Sequence, residues 1–333
     1  MNDNSKATTD QHDLTGLDGA NPLGFLAALG VLRALTHELT KERIHLRWQR
    51  SAGCWRPSIT FESRFARSDL LEAMHNALRD FDRLFPEPFL AQAENAGPKN
   101  KKGEPKWRNR LRFTPKVYRE FCEAALREAS IHSRHRVDSV AAWATEMVQE
   151  TVDKEAVCRR TSFDFTAGNQ AIVNMMRLLT QSISTQDLDE ALFHNWHYES
   201  GATSLRWDPL DESRQYALQA FDPTDGTMNP VTAVAGANCL AIYAMPFFPI
   251  ACSGNHASQP GFTRISGRRV WSWPIWSVGL TPDVIQSLLT HRELTEQLPD
   301  SETLAALGVE VVFRCGIVQP SGRYRCFTRA TAV

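Results

Sequence analysis

The chain has 333 residues, 42% hydrophobic and 23% charged, with a formal net charge of −1. These proportions exclude a fibrous or wholly disordered protein and allow one large domain or two modest ones. Mean hydropathy is −0.35, and no apolar run reaches the roughly 18 residues of a membrane span, which argues against a helical membrane protein.

The 7 cysteines are dispersed and contain no CxxC pair. An odd, scattered set fits a reduced cytoplasmic protein better than a disulfide scaffold. The opening MNDNSKATTDQHD is polar and lacks the apolar region of a secretory signal. Charge is unevenly spread. Lys99 to Arg136 holds twelve Lys/Arg against four Glu, whereas Asp187 to Asp225 holds nine Asp/Glu against two Arg. A near-neutral chain can therefore still present a strongly positive face.

Residues 1–13 lack periodicity and read as a disordered tail. Asn21 is a good N-cap and Pro22 suits a first helical turn, so a helix is expected over Pro22 to Glu38. Its residues Phe25, Leu26, Leu29, Val31, Leu32 and Leu35 make it apolar nearly all round, as in a buried helix. Gly24 and Gly30 cost helix propensity there, which points to close approach of another element. Strands are expected at Ile44 to Gln49 and Ser58 to Glu62. A helix capped by Ser68 is expected from Asp69 to Phe85. Residues 94–112 form a basic surface loop rich in Gly, Pro, Asn and Lys. Thr114-Pro115 opens a helix over Lys116 to Glu128, and another is expected over Ser139 to Thr151.

Arg159 to Phe165 alternates as a strand, and helices follow over Gln170 to Ile183 and Leu188 to Phe193. His197 to Asn229 is rich in turns, and Ala237 to Pro246 reads as helical. Phe262 to Trp276 is strand-like, with Trp271, Trp273 and Trp276 as core residues. Thr281-Pro282 starts a helix reaching Glu293. Val309 to Val318 and Arg323 to Thr328 flank a Gln-Pro-Ser-Gly turn as a C-terminal β-hairpin. Helices and strands mix without a βαβ rhythm, so the fold class expected is α+β with mostly antiparallel strands. The organisation is a main region over 14–235 and a C-terminal region over 236–333, which can belong to the same domain.

Cationic clusters carry the functional signal. Lys99, Lys101, Lys102, Lys106, Arg108, Arg110 and Arg112 crowd around Trp107. Such cations neutralise phosphates, and the indole can stack on an unpaired base. A solvated surface loop is the plainer alternative. Arg134 and Arg136, then Arg159 and Arg160, can extend this track or form surface ion pairs. Arg264, Arg268 and Arg269 lie next to the tryptophans, and Arg314, Arg323, Arg325 and Arg329 decorate the last hairpin.

Catalytic signals are weak. His194 and His197 have a spacing that brings two imidazoles together on a helix, but no third ligand is identifiable and no metal is expected. GxSxG and the P-loop pattern are absent, so no cofactor is expected. Asp208, Asp211, Asp222 and Asp225 can hold a divalent cation in a nuclease, or simply make Asx-turns beside Pro and Gly. The turn Asp18 to Pro22 reads as a helix cap or as an anion site.

Three segments carry a resemblance: LDGANPLGFLAALGVLRAL; ESRQYALQAFDPTDG with GANCLAIYAMPFFPI; and RRVWSWPIWSVGLTPDVIQSLL. Together, in this order, they resemble CRISPR-associated proteins of type I-G (formerly I-U) systems. The resemblance implies a non-catalytic subunit of an RNA-guided effector (Cascade) complex, either large-subunit-like or accessory. Its implied partners are guide RNA, target DNA near the protospacer-adjacent motif, other effector subunits and a helicase-nuclease, with no membrane partner. In such complexes base pairing reads the sequence while protein reads shape and a short flanking motif. Within that reading the expected nucleic-acid contacts are Lys99, Lys101, Lys102, Lys106, Trp107, Arg108, Arg110, Arg112, Arg134, Arg136, Arg268 and Arg269.

Overall fold

The computed structural model describes residues 10–79, 101, 111, 113–129, 135–150, 156–166, 172–198, 204–210, 233–253, 256–319 and 325–333. The fold is α+β with antiparallel sheets. Among these residues no helix is long and apolar enough to cross a membrane.

Helix α1 (Pro22–Glu38) is the central element and has the bounds expected. Asn21 caps it, accepting from the amides of Leu23 at 2.8 Å and Gly24 at 3.3 Å. Every residue from Pro22 to Leu35 is buried, Arg33 included. A helix can be apolar on all sides only if both flanks are covered. One flank is covered by α7 (Ala235–Tyr243), itself buried throughout. Here Gly30 has its purpose: a Cβ on it would stand 1.8 Å from the carbonyl oxygen of Leu240. The two helix backbones touch, as the cost of a mid-helix glycine implied.

The other flank is aromatic. Phe25 stacks on Trp48 at 5.7 Å and meets Trp271, Trp273 and Trp276 between 5.8 and 6.2 Å. All three of these C-terminal tryptophans are fully buried, as expected. Buried indoles need acceptors. Trp273 Nε1 donates to Gly19 O and Trp276 Nε1 to Leu46 O, each at 2.8 Å. These bonds tie α1 and the N-terminal strands to the C-terminal sheet, and one hydrophobic core runs through both regions.

The N-terminal sheet has the order β1-β3-β2. It comprises β1 (Asp10–Asp13), β2 (His45–Ser51) and β3 (Cys54–Phe61). Residues 10–13 therefore correct the expectation of a wholly disordered tail. They pair with β3 from Asp10↔Phe61 to Asp13↔Ser58. Alternation of side chains with no apolar face gave no sign of a strand whose stability comes from the backbone ladder. Ala52 and Gly53 both have positive φ and make the two-residue turn between β2 and β3.

Helix α2 (Arg67–Arg79) begins earlier than expected, so Ser68 lies inside it rather than at its cap. Helix α3 (Pro115–Ala129) follows the Thr114-Pro115 signal, with Thr114 Oγ1 accepting from Val117 N. The single helix expected over 139–151 is instead α4 (His135–Trp143) followed directly by β4 (Ala144–Glu150). Antiparallel pairing with β5 (Ala156–Arg160) overrides helix propensity in that half. The strand expected over 159–165 is thus displaced, and Ser162 to Asp164 form the turn after it.

Helix α5 (Ile172–Ser182) lies within the expected span, and α6 (Thr185–Phe193) starts before the expected Leu188 because Ser184 and Asp187 close a capping box there. The C-terminal sheet has the order β11-β10-β9-β8, with β12 also on β10. Its strands are β8 (Phe262–Ile265), β9 (Arg268–Trp276), β10 (Val309–Val318), β11 (Cys326–Phe327) and β12 (Thr331–Ala332). The pair β6 (Ala251–Ser253) and β7 (His256–Ser258) stands apart. Helix α8 (Pro282–Leu289) ends before the expected Glu293, and α9 (Ser301–Ala306) follows it.

Candidate nucleic-acid interface

The stretch read as one strand, 262–276, is a hairpin. Ser266 and Gly267 have φ of 50° and 79°, a two-residue turn of the kind that matches strand twist. This register sets Phe262 opposite Trp271 and Arg264 opposite Arg269. Because side chains alternate, both pairs lie on one face of the ladder. The aromatic pair enters the core and the cationic pair stands at its margin. Arg268 falls on the opposite face and is exposed.

A second element closes on Arg269. The turn after β5 presents Ser162, whose Oγ accepts from Arg269 Nη2 at 3.0 Å. Buried Gln259 locks that turn: its Oε1 accepts from Ser162 N, and its Nε2 donates to Thr161 Oγ1 and Phe248 O, all within 2.9 Å. Arg325 N bonds Phe165 O, which brings the last hairpin alongside. The result is a cleft of about 370 Å³, with Arg159, Ser162, His256, Phe262, Arg264 and Arg269 in its walls.

The cleft is cationic. Burial first, and then Arg325, Arg159 and Arg264, push the Arg269 pKa down to about 10. Arg325 is also lowered, by partial burial and then by Arg160, with Asp164 acting in the opposite sense. Among the described residues the only ion pair in this group is Arg160 Nη1 to Asp164 Oδ2, at 2.6 Å. Asp164 is buried, and its other oxygen accepts from Thr166 N and Oγ1. Among the described residues, Asp164 is thus already engaged by Arg160, while Arg159, Arg264 and Arg325 act on Arg269 as like charges. A second cleft, on the β2–β3 hairpin, has mixed charge: Arg47 and Arg50 share it with Glu310, which is bonded to Ser277.

Of the sequence-expected contacts, the structure brings Arg269 into the cleft and turns Arg268 away from it. Lys101 is exposed. Lys99, Lys102, Lys106, Trp107, Arg108, Arg110, Arg112 and Arg134 lie outside the described residues, and Arg136 is described only as backbone in α4. Arg159, Arg160, Arg264 and Arg325 belong to separate sequence clusters, and only the tertiary fold unites them. Arg314 corrects the expectation that it decorates the surface. It is buried, donating to Ser272 Oγ at 2.8 Å, Gln297 O at 3.0 Å and Glu296 O at 2.5 Å.

The other sequence candidates resolve locally. Helix α6 ends at Phe193, and His194 is extended at φ −120°, ψ 166°, so the helical spacing that would join His194 to His197 is lost. His194 bonds Asp189 at 2.9 Å and Arg67 at 3.2 Å. Among the described residues no group of three His, Cys, Asp or Glu could hold a metal ion. Asp208 is buried and accepts from Asn21 Nδ2, Leu210 N and the Tyr198 hydroxyl. It braces the α1 cap, while Asp211, Asp222 and Asp225 lie outside the described residues. At the Asp18 to Pro22 turn the helix amides are taken by Asn21 itself, which leaves the cap reading.

No protein-family model and no curated protein matches the chain at a significant level.

Proposed function

We propose that this chain is a non-catalytic, nucleic-acid-binding subunit of an RNA-guided CRISPR effector complex of the type I-G kind, working in the cytoplasm. The observation that carries the nucleic-acid half is the arginine cleft, where Arg159, Arg264, Arg269 and Arg325 converge with one engaged carboxylate nearby. Clustered guanidiniums held in a partly desolvated recess are arranged for phosphate, which they bind bidentately and at low hydration cost. The effector-complex half rests on the resemblance of the three segments around α1, α7 and β9. In that setting the chain contacts target DNA near the protospacer-adjacent motif and helps recruit a helicase-nuclease.

Tagged purification from a cell carrying the neighbouring genes tests the complex, and direct binding tests the cleft. The expected outcome is co-elution with guide-length RNA and companion proteins. Oligonucleotide affinity should fall steeply as salt rises, because each neutralised phosphate releases counterions. A chain that elutes without RNA or companions, and whose Arg264→Gln and Arg269→Gln variants bind as the parent does, overturns the reading.

A further inference from the structure

Three elements wall the arginine cleft. Arg159 and Ser162 come from the end of β5 and the turn after it, His256 from β7, and Arg264 and Arg269 from the β8–β9 hairpin. Among the described residues no carboxylate lines it. Asp164, the acid that acts on Arg325, is buried and held by Arg160 and Thr166.

The walls are rich in donors and short of acceptors. Arg159 makes no hydrogen bond or ion pair among the described residues. Arg264 has the 3.3 Å contact to Gly267 O as its side-chain bond. Arg269 spends Nη2 on Ser162 Oγ, and no described residue accepts the proton of the Ser162 hydroxyl. Buried Gln259 fixes the turn that carries Ser162, so the like charges are held together by the fold.

The shortage of negative charge and of acceptors points to phosphate, and to one kind of phosphate. A diester within a chain carries one charge and two free oxygens, because the chain leaves through the other two. A monoester carries about −1.5 to −2 at neutral pH and has three acceptor oxygens. It also enters a recess end-on, whereas a diester must pass through it. At about 370 Å³ the cleft has the scale of a small-ligand pocket, not of a groove that tracks a chain.

We propose that this cleft is an end site. It takes a phosphomonoester between Arg159, Arg264 and Arg269, with the Ser162 hydroxyl donating to a third oxygen. The group occurs at the end of a phosphorylated strand and on a free mononucleotide. The proposal rests on the nucleic-acid reading above and goes beyond it by selecting a terminal over an internal phosphate.

Short oligothymidylates labelled at the 3′ end, with a 5′-phosphate or a 5′-hydroxyl, test it on the full chain by fluorescence anisotropy at about 0.1 M salt. The phosphorylated probe should bind about tenfold more tightly, as one added charge-assisted hydrogen bond allows. Arg159→Gln and Arg264→Gln should each remove most of that difference. Arg264 is exposed, so its variant should keep the parent's tryptophan fluorescence. Thymidine 5′-monophosphate should displace the phosphorylated probe. Displacement near the probe's own affinity identifies a free nucleotide as the ligand, displacement only at much higher concentration identifies a strand end, and no displacement overturns the proposal. Equal affinity for the two probes overturns it while the nucleic-acid reading stands. A phosphate preference that survives both substitutions also overturns it, by moving the end site elsewhere. If neither strand binds but the mononucleotide raises the melting temperature of the parent and not of Arg264→Gln, the end site stands and the nucleic-acid reading falls. If no probe binds, both fall.

Discussion

Arg264 and Arg269 stand directly opposite each other in the β8–β9 ladder, like charges in a position where sheets favour opposite ones. Nothing in the hairpin requires this, since Arg264 is exposed and its side-chain bond is a 3.3 Å contact to Gly267 O. The pairing is a local cost that an anion between the two guanidiniums would remove. Arg264→Glu converts it into an opposite-charge pair. The free protein should gain roughly 0.5–1 kcal/mol in urea denaturation at low salt, and the gain should shrink as salt screens the pair. The same variant should lose nucleic-acid affinity. A variant that is less stable than the parent would remove the argument that this position is kept for a ligand.

Gly30 makes a sharper prediction. A methyl group there would stand 1.8 Å from Leu240 O, and both backbones are buried, so no flexible side chain can yield. Gly30→Ala should cost about 3 kcal/mol or more, at the upper end of overpacking effects, although alanine is the better helix former. Thermal unfolding with circular dichroism reads the outcome. An unchanged or raised melting temperature would mean that α1 and α7 do not touch at this point.

These two sites mark what the sequence could and could not convey. Helix α1 was legible to the residue because its signals are local: a capping Asn21, Pro22 in the first turn and an unbroken apolar run. The packing role of Gly30 was legible because a mid-helix glycine is otherwise unfavourable. The α4–β4 junction was not legible, because Ala144 to Glu150 becomes a strand only by pairing with β5. The early strand β1 was hidden for the same reason. The arginine cleft was legible only in pieces. Runs such as Arg159-Arg160 and Arg268-Arg269 are visible in the sequence, but which member of each faces the cleft depends on register. The turn at Ser266-Gly267 chooses Arg269 over Arg268, and only the last hairpin brings Arg325 beside it.

Arg314 is the buried counterpart of the cleft arginines and should behave differently. Its guanidinium serves Ser272 Oγ and two backbone carbonyls, and burial lowers its pKa. Arg314→Met keeps the bulk but strands those acceptors. A loss of about 2–3 kcal/mol is expected, the range for buried polar groups left unsatisfied. Nucleic-acid affinity of the folded fraction should be unchanged, which separates a structural arginine from a ligand-facing one.

The cysteines provide a reading of packing. Burial raises the thiols of Cys158, to about 11, and of Cys239 and Cys315 more strongly. Thiolates are the reactive form, so these three should resist alkylation at neutral pH until the chain unfolds. Half-buried Cys54, Cys122 and Cys252 should react slowly in the native protein. Mass mapping after timed alkylation distinguishes the two groups. Early labelling of Cys239, on α7, would contradict the close seating of that helix on α1.

The N-terminal strand β1 should be the first element to respond to acid. Asp10 Oδ2 accepts from Phe65 N at 2.9 Å and lies 3.3 Å from His12 Nε2. The Phe65 amide is the main cause holding the Asp10 carboxyl below its ordinary 3.8; burial opposes it, and the hydrogen bond and charge of His12 add to it. A carboxylate whose folded pKa lies below its unfolded value stabilises the fold above the unfolded pKa, and that contribution is lost as pH falls through the folded one. Protection of the Phe65 amide and of the β1–β3 ladder should therefore decline below about pH 4, before the α1–α7 core responds. Asp10→Asn should weaken this edge at neutral pH and flatten its acid dependence. Hydrogen exchange corrected for intrinsic rates measures both effects, and identical acid profiles for parent and variant would assign the sensitivity to another carboxylate.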